Sequence, residues 1–292
     1  MELSTRRYDL HSHTTASDGM LSPAELVKRA VDNCVDVLAI TDHDSTAGLE
    51  EARNTISQDK LPLILINGVE ISTVWKNQGI HIVGLNIDPN HDHLQQLLRK
   101  QTEYRRERAQ EIAAKLAGLG IVDSYQKAEQ YAQGEIVSRA HFARYLVDLG
   151  IVKDINKAFK RYLGKGKPAY ISPRWCSITE AVEAIHAAGG VAVLAHPTRY
   201  DLTATKLRKL LDEFKQIGGD AIEVSQSRQS RDELYMLAKY ALQYEFLASQ
   251  GSDFHSIGQY VDLGKVEPLT ENVTPIWYNW SYERDSIRIE DT

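Results

Sequence analysis

Near the N-terminus the run YDLHSHTTASDG places His11 and His13 one residue apart, with Asp18 a short step beyond. Imidazole and carboxylate are ligands for divalent cations, so the chemistry within reach of this stretch is metal binding. Residues i and i+2 of a β-strand share a face, and both rings would then meet one ion. Any solvated strand face can carry the same spacing, so the pair alone decides nothing.

Further groups of the same chemical type follow along the chain: Asp42 and His43 in TDHD, Glu70 in GVEIS, His81 in GIHIVGL, His196 in VLAHP, and Asp253 with His255 in GSDFH. Each has an ordinary explanation. His81 fits a core histidine, Glu70 a surface carboxylate, and Asp18 and Asp253 turn formers beside Gly19 and Gly251. Taken together, those explanations require a string of unrelated accidents at the ends of successive strands.

The elements that must position these groups are legible as apolar runs. Candidate strands are Arg7 to His11, Val37 to Ile40, Leu63 to Ile66, Ile80 to Ile87, Val191 to Ala195, Ala221 to Val224 and Phe246 to Ala248. They alternate with helical patterns, which predicts an α/β chain with parallel strands. In a barrel of parallel strands the C-terminal ends converge on one face, where loops build active sites. Ligands scattered in sequence would then be neighbours in space. The first helix should start at Ser22, with Pro23 at its first position, Glu25 completing a capping box, and Leu26, Val27, Ala30 and Val31 at helical spacing.

Two other histidine settings lack such partners. His91 and His93 stand in DPNHDHL, a Pro/Asn turn, and His186 lies in TEAVEAIHAAGG, a helix ending at a glycine pair. Neither is expected to hold metal.

The segment 99–174 breaks the alternation, reading as several helices (RRERAQEIAAKLAGL, SRAHFARYLVDLG, DINKAFKRYLGKG) without a strand. It divides the chain into a first barrel part, 1–98, a helical insertion, 99–174, and a second barrel part, 175–292. The insertion carries 16 Lys+Arg against 8 Asp+Glu, in a chain of 292 residues whose formal net charge is −6. Basic charge is therefore concentrated there, either as solvated helices with internal ion pairs or as a handle for a polyanion. Whole-chain acidity argues only weakly against nucleic acid, because cations would neutralise the carboxylates that hold them. Cys34 and Cys176 are the only cysteines; without a framework they suit a reducing compartment. MELSTRRYDL lacks the apolar run of a signal peptide and no stretch is long enough to span a bilayer, so a cytoplasmic protein is expected.

The motifs HSH, TDH, LAHP and SDFH together resemble those of the PHP (polymerase and histidinol phosphatase) family. The runs GVEISTVW, HIVGLNI, SRAHFAR and QGSDFH are similar to its bacterial branch of 5′-to-3′ exoribonucleases and 3′,5′-nucleoside bisphosphate phosphatases. The resemblance implies a distorted (β/α)7 barrel with a mainly helical insertion and three divalent metal ions, Mn²⁺ first, with Fe²⁺ or Zn²⁺ as alternatives. By motif, His11, His13, Glu70 and Asp253 would hold one ion, and Glu70 would bridge to a second held by His81 and His196. Asp18, His43 and His255 would hold a third. Asp42 would stand behind them, orienting a ligand histidine.

Three divalent ions against three carboxylates leave a site of about +3, suited to an anionic ester and hydroxide. Metal coordination brings the pKa of water toward neutrality and stabilises charge on phosphoryl oxygens. G-x-S-x-G is absent, and no serine or cysteine nucleophile is required. Arg139 and His141 in SRAHFAR are expected to grip a second phosphate, with His141 a candidate proton donor. Arg199 in AHPTRY could clamp phosphate, although Thr198 stands where relatives often carry glycine. Lys165 and Lys167 in GKGKPAY either bind phosphate or decorate a turn. The expected substrates are RNA 5′ ends, short oligonucleotides and 3′,5′-bisphosphonucleosides, without a membrane or an obligatory protein partner. A small-metabolite phosphatase of the histidinol phosphatase kind shares the metals without needing the second phosphate grip, and a non-catalytic RNA-binding module would need neither.

Overall fold

The computed structural model describes residues 6–258 and 261–280. Strands β1 (Tyr8–Asp9), β2 (Val37–Ile40), β3 (Ile64–Trp75) and β4 (Gln78–Leu85) are hydrogen-bonded in sequence. The short β5 (Cys176–Ser177) pairs with the far end of β3, and the path continues from β4 through β6 (Val191–Leu194), β7 (Ala221–Gln226) and β8 (Leu247–Gly251). Its two edges meet. The Leu10 amide donates to the Gln250 carbonyl at 3.0 Å and Ser12 bridges to Phe254, so seven strands form a nearly closed barrel. The expected α/β barrel is present.

One strand departs from the all-parallel arrangement expected from the sequence: β4 runs antiparallel to both β3 and β6. The cause is a tight hairpin. Lys76 and Asn77 occupy positive φ (48° and 63°) between the paired residues Trp75 and Gln78, as a two-residue turn of the primed type demands. Because β4 is reversed, His81 near its start faces the same barrel end as residues leaving the other strands. The strand expected at Leu63 to Ile66 also runs on to Trp75, carrying Glu70 within it rather than after it.

The outer layer follows in chain order as α1 (Pro23–Asp32), α2 (Gly48–Gln58), α3 (Asp92–Ala117), α4 (Ser124–Tyr131), α5 (Arg139–Asp148), α6 (Ile155–Ala158), α7 (Ile178–Ala187), α8 (Ala204–Gln216) and α9 (Arg231–Gln243). The α1 start has the expected capping box: Ser22 Oγ accepts from the Glu25 amide at 3.2 Å, and the Ser22 amide donates to Glu25 Oε2 at 2.8 Å. Inside the barrel, Leu10, Val37, Ala39, Ile66, Val83 and Val193 fill one end. Trp277, from a 3₁₀ turn at Ile276–Asn279, stacks on Tyr8 with ring centroids 4.0 Å apart and helps to close that end. Polar side chains are thereby left to the opposite end.

The helices of 99–174 have a core of their own, centred on Ala109, Ile112, Leu116, Phe142, Leu146 and Leu163. Helix α3 crosses the expected limit at 98/99. Its Leu94, Leu97 and Leu98 pack in the barrel core and its Ala109, Ile112 and Leu116 in the helical one, so a continuous rod joins the two. The α4 segment was not anticipated, because its polar sequence SYQKAEQY buries only Ser124 and Ala128 and gives little periodic signal.

Candidate metal centre

The polar end of the barrel gathers all nine candidate ligands. Glu70 is fully buried on β3, and five imidazoles approach its two oxygens. His81 Nδ1 and His196 Nε2 lie 2.9 and 3.0 Å from Oε1, and His11 Nε2 lies 3.3 Å from it. His43 Nδ1 and His13 Nε2 lie 2.8 and 3.4 Å from Oε2. Asp253 Oδ1 lies 3.2 Å from His13 Nε2 and 3.5 Å from His11 Nε2. Asp18 Oδ1 lies 3.3 Å from His255 Nε2 and 3.9 Å from His43 Nε2. Donor atoms fall within 4.8 Å of one another in three groups: His13, Asp18, His43 and His255; His11, His13 and Glu70; His43, Glu70 and His81.

These spacings fit cations. Bonds of about 2.0–2.2 Å to one ion place neighbouring donors roughly 3.0–3.5 Å apart, the edge of a tetrahedron or octahedron. His11 Nε2, both ring nitrogens of His13, Asp18 Oδ1 and Glu70 Oε2 are buried without a hydrogen-bond partner. Buried polar atoms are seldom left so, and an ion would satisfy each. Nitrogen and oxygen donors without thiolate suit Mn²⁺, Fe²⁺ or Zn²⁺.

The electrostatics show the same demand for positive charge. Burial alone would raise the Glu70 carboxyl, yet His81, His43 and His11 hold it well below the usual range. Burial likewise opposes ionisation of Asp253 and Asp18, and neighbouring rings, His255 and His11 for the first, His43 and His255 for the second, overcome it. The rings cannot all be charged together. Burial, with His255 and His43 beside it, pushes His13 down to about 3, whereas His255 overcomes burial through Asp253 and Asp18 and rises to about 10.

Local backbone and hydrogen bonds aim these groups. His196 and Asp253 both adopt positive φ (31° and 51°), a costly conformation for residues with a Cβ, at the exits of β6 and β8. Gly251 permits β8 to pass His11, since a Cβ there would lie 2.4 Å from the His11 Cβ. Asp9 accepts from the amides of Ser252 and Gly264, each at 2.8 Å, and so fixes the approach to Asp253. Glu223 was missed in the sequence, although an acid within the apolar run AIEVSQ is a signal. Its Oε1 lies 2.8 Å from His11 Nδ1 and its Oε2 accepts from the His196 amide at 2.6 Å. With Nδ1 donating, Nε2 of His11 presents its lone pair to the centre.

Asp42 differs from expectation. It accepts from the Thr14 amide (2.7 Å), the Thr14 hydroxyl (2.6 Å) and the Ser17 hydroxyl (2.6 Å), fastening the loop between His13 and Asp18 instead of orienting a histidine. A carboxylate beside TDH cannot reveal from sequence which loop folds over it.

Beside the cluster lies a cavity of about 560 Å³, lined by Asp18, His43, His81 and His255 on the barrel side. Arg105, Arg108, Arg139 and Arg144 line it from the helices. Arg105 is paired with Asp44, Nε to Oδ2 at 2.8 Å, but Arg108 has a buried Nε without a partner. Burial, reinforced by Arg139 and Arg105, pushes Arg108 down to about 9, and burial lowers Arg139 and Arg144 as well. Guanidinium keeps its proton in proteins, so these shifts describe positive charge short of an anion. Arg105 and Arg108 lie over the Trp175 ring at 5.0 and 5.3 Å, and Arg139 over Phe159 at 5.4 Å. Of the four arginines only Arg139 was singled out by sequence; the others sit on helical faces whose direction the sequence does not state.

The remaining candidates are placed differently. His141 is 1% exposed, does not line the cavity, and through Nδ1 accepts the Ser138 amide at 3.1 Å in a capping box for α5. Burial pushes it down to about 4, leaving it neutral near pH 7 and unsuited to donating a proton. Arg199 contacts Asp253 Oδ2 and its Nη2 reaches the Ser227 carbonyl at 3.4 Å, and it lines a neighbouring cavity instead of the arginine one. Lys165 reaches Gln78 at 3.5 Å, outside the cavity. His91 is the N-cap residue of α3, His93 lies in its first turn, and His186 pairs with Asp220 at 2.8 Å.

Comparison with known proteins agrees with this arrangement. The chain is 49% identical to the 5'-3' exoribonuclease Rnm of Escherichia coli, over 97% of each chain. It is 42% identical to the 3',5'-nucleoside bisphosphate phosphatase of Chromobacterium violaceum, over 92% of this chain and 94% of that one. A solved structure of an amidohydrolase from Chromobacterium violaceum, with bound sulfate and no metal, superposes with a TM-score of 0.88 at 42% identity, covering 93% of this chain and 94% of that one. Residues 9–227 match the PHP domain, and with the reach of these similarities the chain belongs to the PHP domain family.

Proposed function

We propose that this protein is a metal-dependent phosphoesterase acting on RNA from the 5′ end, releasing nucleoside 5′-monophosphates, and on 3′,5′-bisphosphonucleosides, yielding nucleoside 5′-monophosphate and phosphate. The observation that carries this reading is the continuity of the ligand cluster with the arginine cavity. One wall offers His43, His81, His255 and Asp18, and the other offers Arg105, Arg108, Arg139 and Arg144. A substrate with two phosphates one nucleoside apart matches both walls.

In this reading His11, His13, Glu70 and Asp253 hold one ion, Glu70, His81 and His196 a second, and Asp18, His43 and His255 a third, with Mn²⁺ preferred. Divalent ions held there supply hydroxide near neutral pH and offset charge on the phosphoryl oxygens. The residues of 99–174 act as a substrate-binding cap. Its arginines grip the 5′-phosphate, and Trp175 and Phe159, which also line the cavity, flank the nucleoside. Attack at the 3′-side phosphorus forms a new P–O bond and breaks the bond to the 3′-oxygen, which leaves as the protonated hydroxyl. In this reading Arg199, paired with Asp253, meets a phosphoryl oxygen. His141 holds the first turn of α5, and thereby Arg139, in position. RNA and bisphosphonucleosides are one demand at two lengths, since both set a phosphate on the cap and another on the metals.

The test compares kcat/KM of the Mn²⁺-loaded protein for a 3′,5′-bisphosphonucleoside and for the nucleoside 3′-monophosphate, alongside digestion of 5′-monophosphorylated RNA. The reading expects a loss of at least tenfold without the 5′-phosphate, and mononucleotides appearing from the 5′ end. Equal rates on the two small substrates, with RNA left intact, would instead indicate a small-metabolite phosphatase.

A further inference from the structure

A second cavity, of about 600 Å³, lies between the turn after β6 and the loops after β7 and β8. It shares His255 and Ser256 with the arginine cavity and takes Asp253 as part of its wall. A chain crossing the ligand cluster from one cavity therefore continues into the other. We infer that this groove binds the RNA strand beyond the scissile phosphate, beginning with the second nucleotide.

The walls suit a ribose–phosphate chain. Arg228 is exposed and held at positive φ (61°), projecting from the β7–α9 loop. Thr198 brings a hydroxyl to the same space, and Asn156 brings an amide from the helical layer. Gln226 is 3% exposed and its amide nitrogen has no partner. A buried donor left unsatisfied is costly, and a ligand acceptor would satisfy it. Of the two acids on this wall, Asp253 belongs to the ligand cluster and Glu233 accepts from the Ser230 amide and hydroxyl, each at 2.8 Å, as the capping residue of α9. No Phe, Tyr or Trp is among the described residues of this wall, whose cation, hydroxyl and amide groups suit the ribose–phosphate backbone.

The groove rests on the proposed function, and the connectivity of the substrate gives it direction. With the first nucleotide's 5′-phosphate under the cap arginines, its 3′-oxygen leaves toward the cap. The attacked phosphorus remains joined to the 5′-oxygen of the second nucleotide, which must lead away from the cap arginines. A bisphosphonucleoside ends at that phosphorus and never enters the groove. The two substrates therefore differ by this site alone.

The experiment measures kcat/KM of wild type, Arg228→Gln and Arg228→Glu on a 5′-phosphorylated decamer RNA and on adenosine 3′,5′-bisphosphate. Loss of one phosphate contact lowers the RNA value about tenfold in Arg228→Gln, and charge reversal lowers it further. Both variants keep the bisphosphate value within about twofold of wild type, and Arg228→Gln reduces the slope of log kcat/KM against log salt for RNA by about 0.7. Unchanged RNA turnover, or equal losses on both substrates, would overturn the groove while leaving the proposed function standing. A wild-type protein that cleaves neither substrate removes the function itself and the groove with it.

Discussion

Glu223 on β7 and His11 just past β1 meet at 2.8 Å, carboxylate to Nδ1, although 212 residues separate them along the chain. The same carboxylate takes the His196 amide through its other oxygen, so one side chain aligns two candidate ligands. Glu223→Gln keeps the size but loses the charge that fixes the ring's donor. Metal affinity should fall about 10- to 100-fold, measured by competition with a chelator of known affinity. Unaltered affinity would mean that the fold alone holds His11.

Five imidazoles surround Glu70, whereas Asp18 stands close to two, His255 and His43. Glu70→Gln should therefore remove more than one equivalent of bound metal, and Asp18→Asn no more than one. Elemental analysis of the purified variants reads this directly, and equal metal loss in both would contradict a bridging Glu70. Metal would bind only where the fold gathers these ligands, so stripping it from the wild type should lower Tm, and adding Mn²⁺ should restore it.

Arg108 combines a buried, partnerless Nε with neighbours of like charge. Its replacement by Met should leave Tm unchanged or raised, because a half-buried cation crowded by Arg105 and Arg139 costs stability. The same change should cost about 1.5–3 kcal/mol of transition-state binding for bisphosphonucleosides, read as kcat/KM. A fall in both quantities would show that Arg108 supports the fold and not the substrate.

His141 titrates in a direction that can be checked. Burial takes it down to about 4 in the folded state, below the usual 6.5, so the unfolded chain binds the extra proton between those values. Stability from this group is complete above pH 6.5 and is lost as pH falls toward 4, amounting to about 3 kcal/mol at the limit. His141→Gln retains an acceptor for the Ser138 amide without the titration. Its Tm should decline less than that of wild type between pH 6.5 and 5, and parallel declines would refute the assignment.

The types of the candidate ligands were legible in the sequence because each stands beside an apolar run, and strand ends converge in a barrel. His11, His13, His43, His196 and Asp253 follow that rule. The α1 start at Ser22, Pro23 and Glu25 was legible too, because a capping box is local chemistry.

What tertiary structure decided were the directions that local pattern does not carry. The primed turn at Lys76–Asn77 reverses β4 and brings His81 to the same end from the opposite sense, although Lys-Asn is not the glycine-bearing pair that marks such a turn. Glu223 and Asp42 were acids whose partners lie 212 and 25–28 residues away. Arg105, Arg108 and Arg144 were three cations among many until the continuous α3 and the capped α5 turned them into one cavity. Sequence determines which groups can bind a cation or a phosphate. Only packing between distant segments determines which of them share a space, because hydrogen-bond partners and helix rotation are set by contacts far apart along the chain.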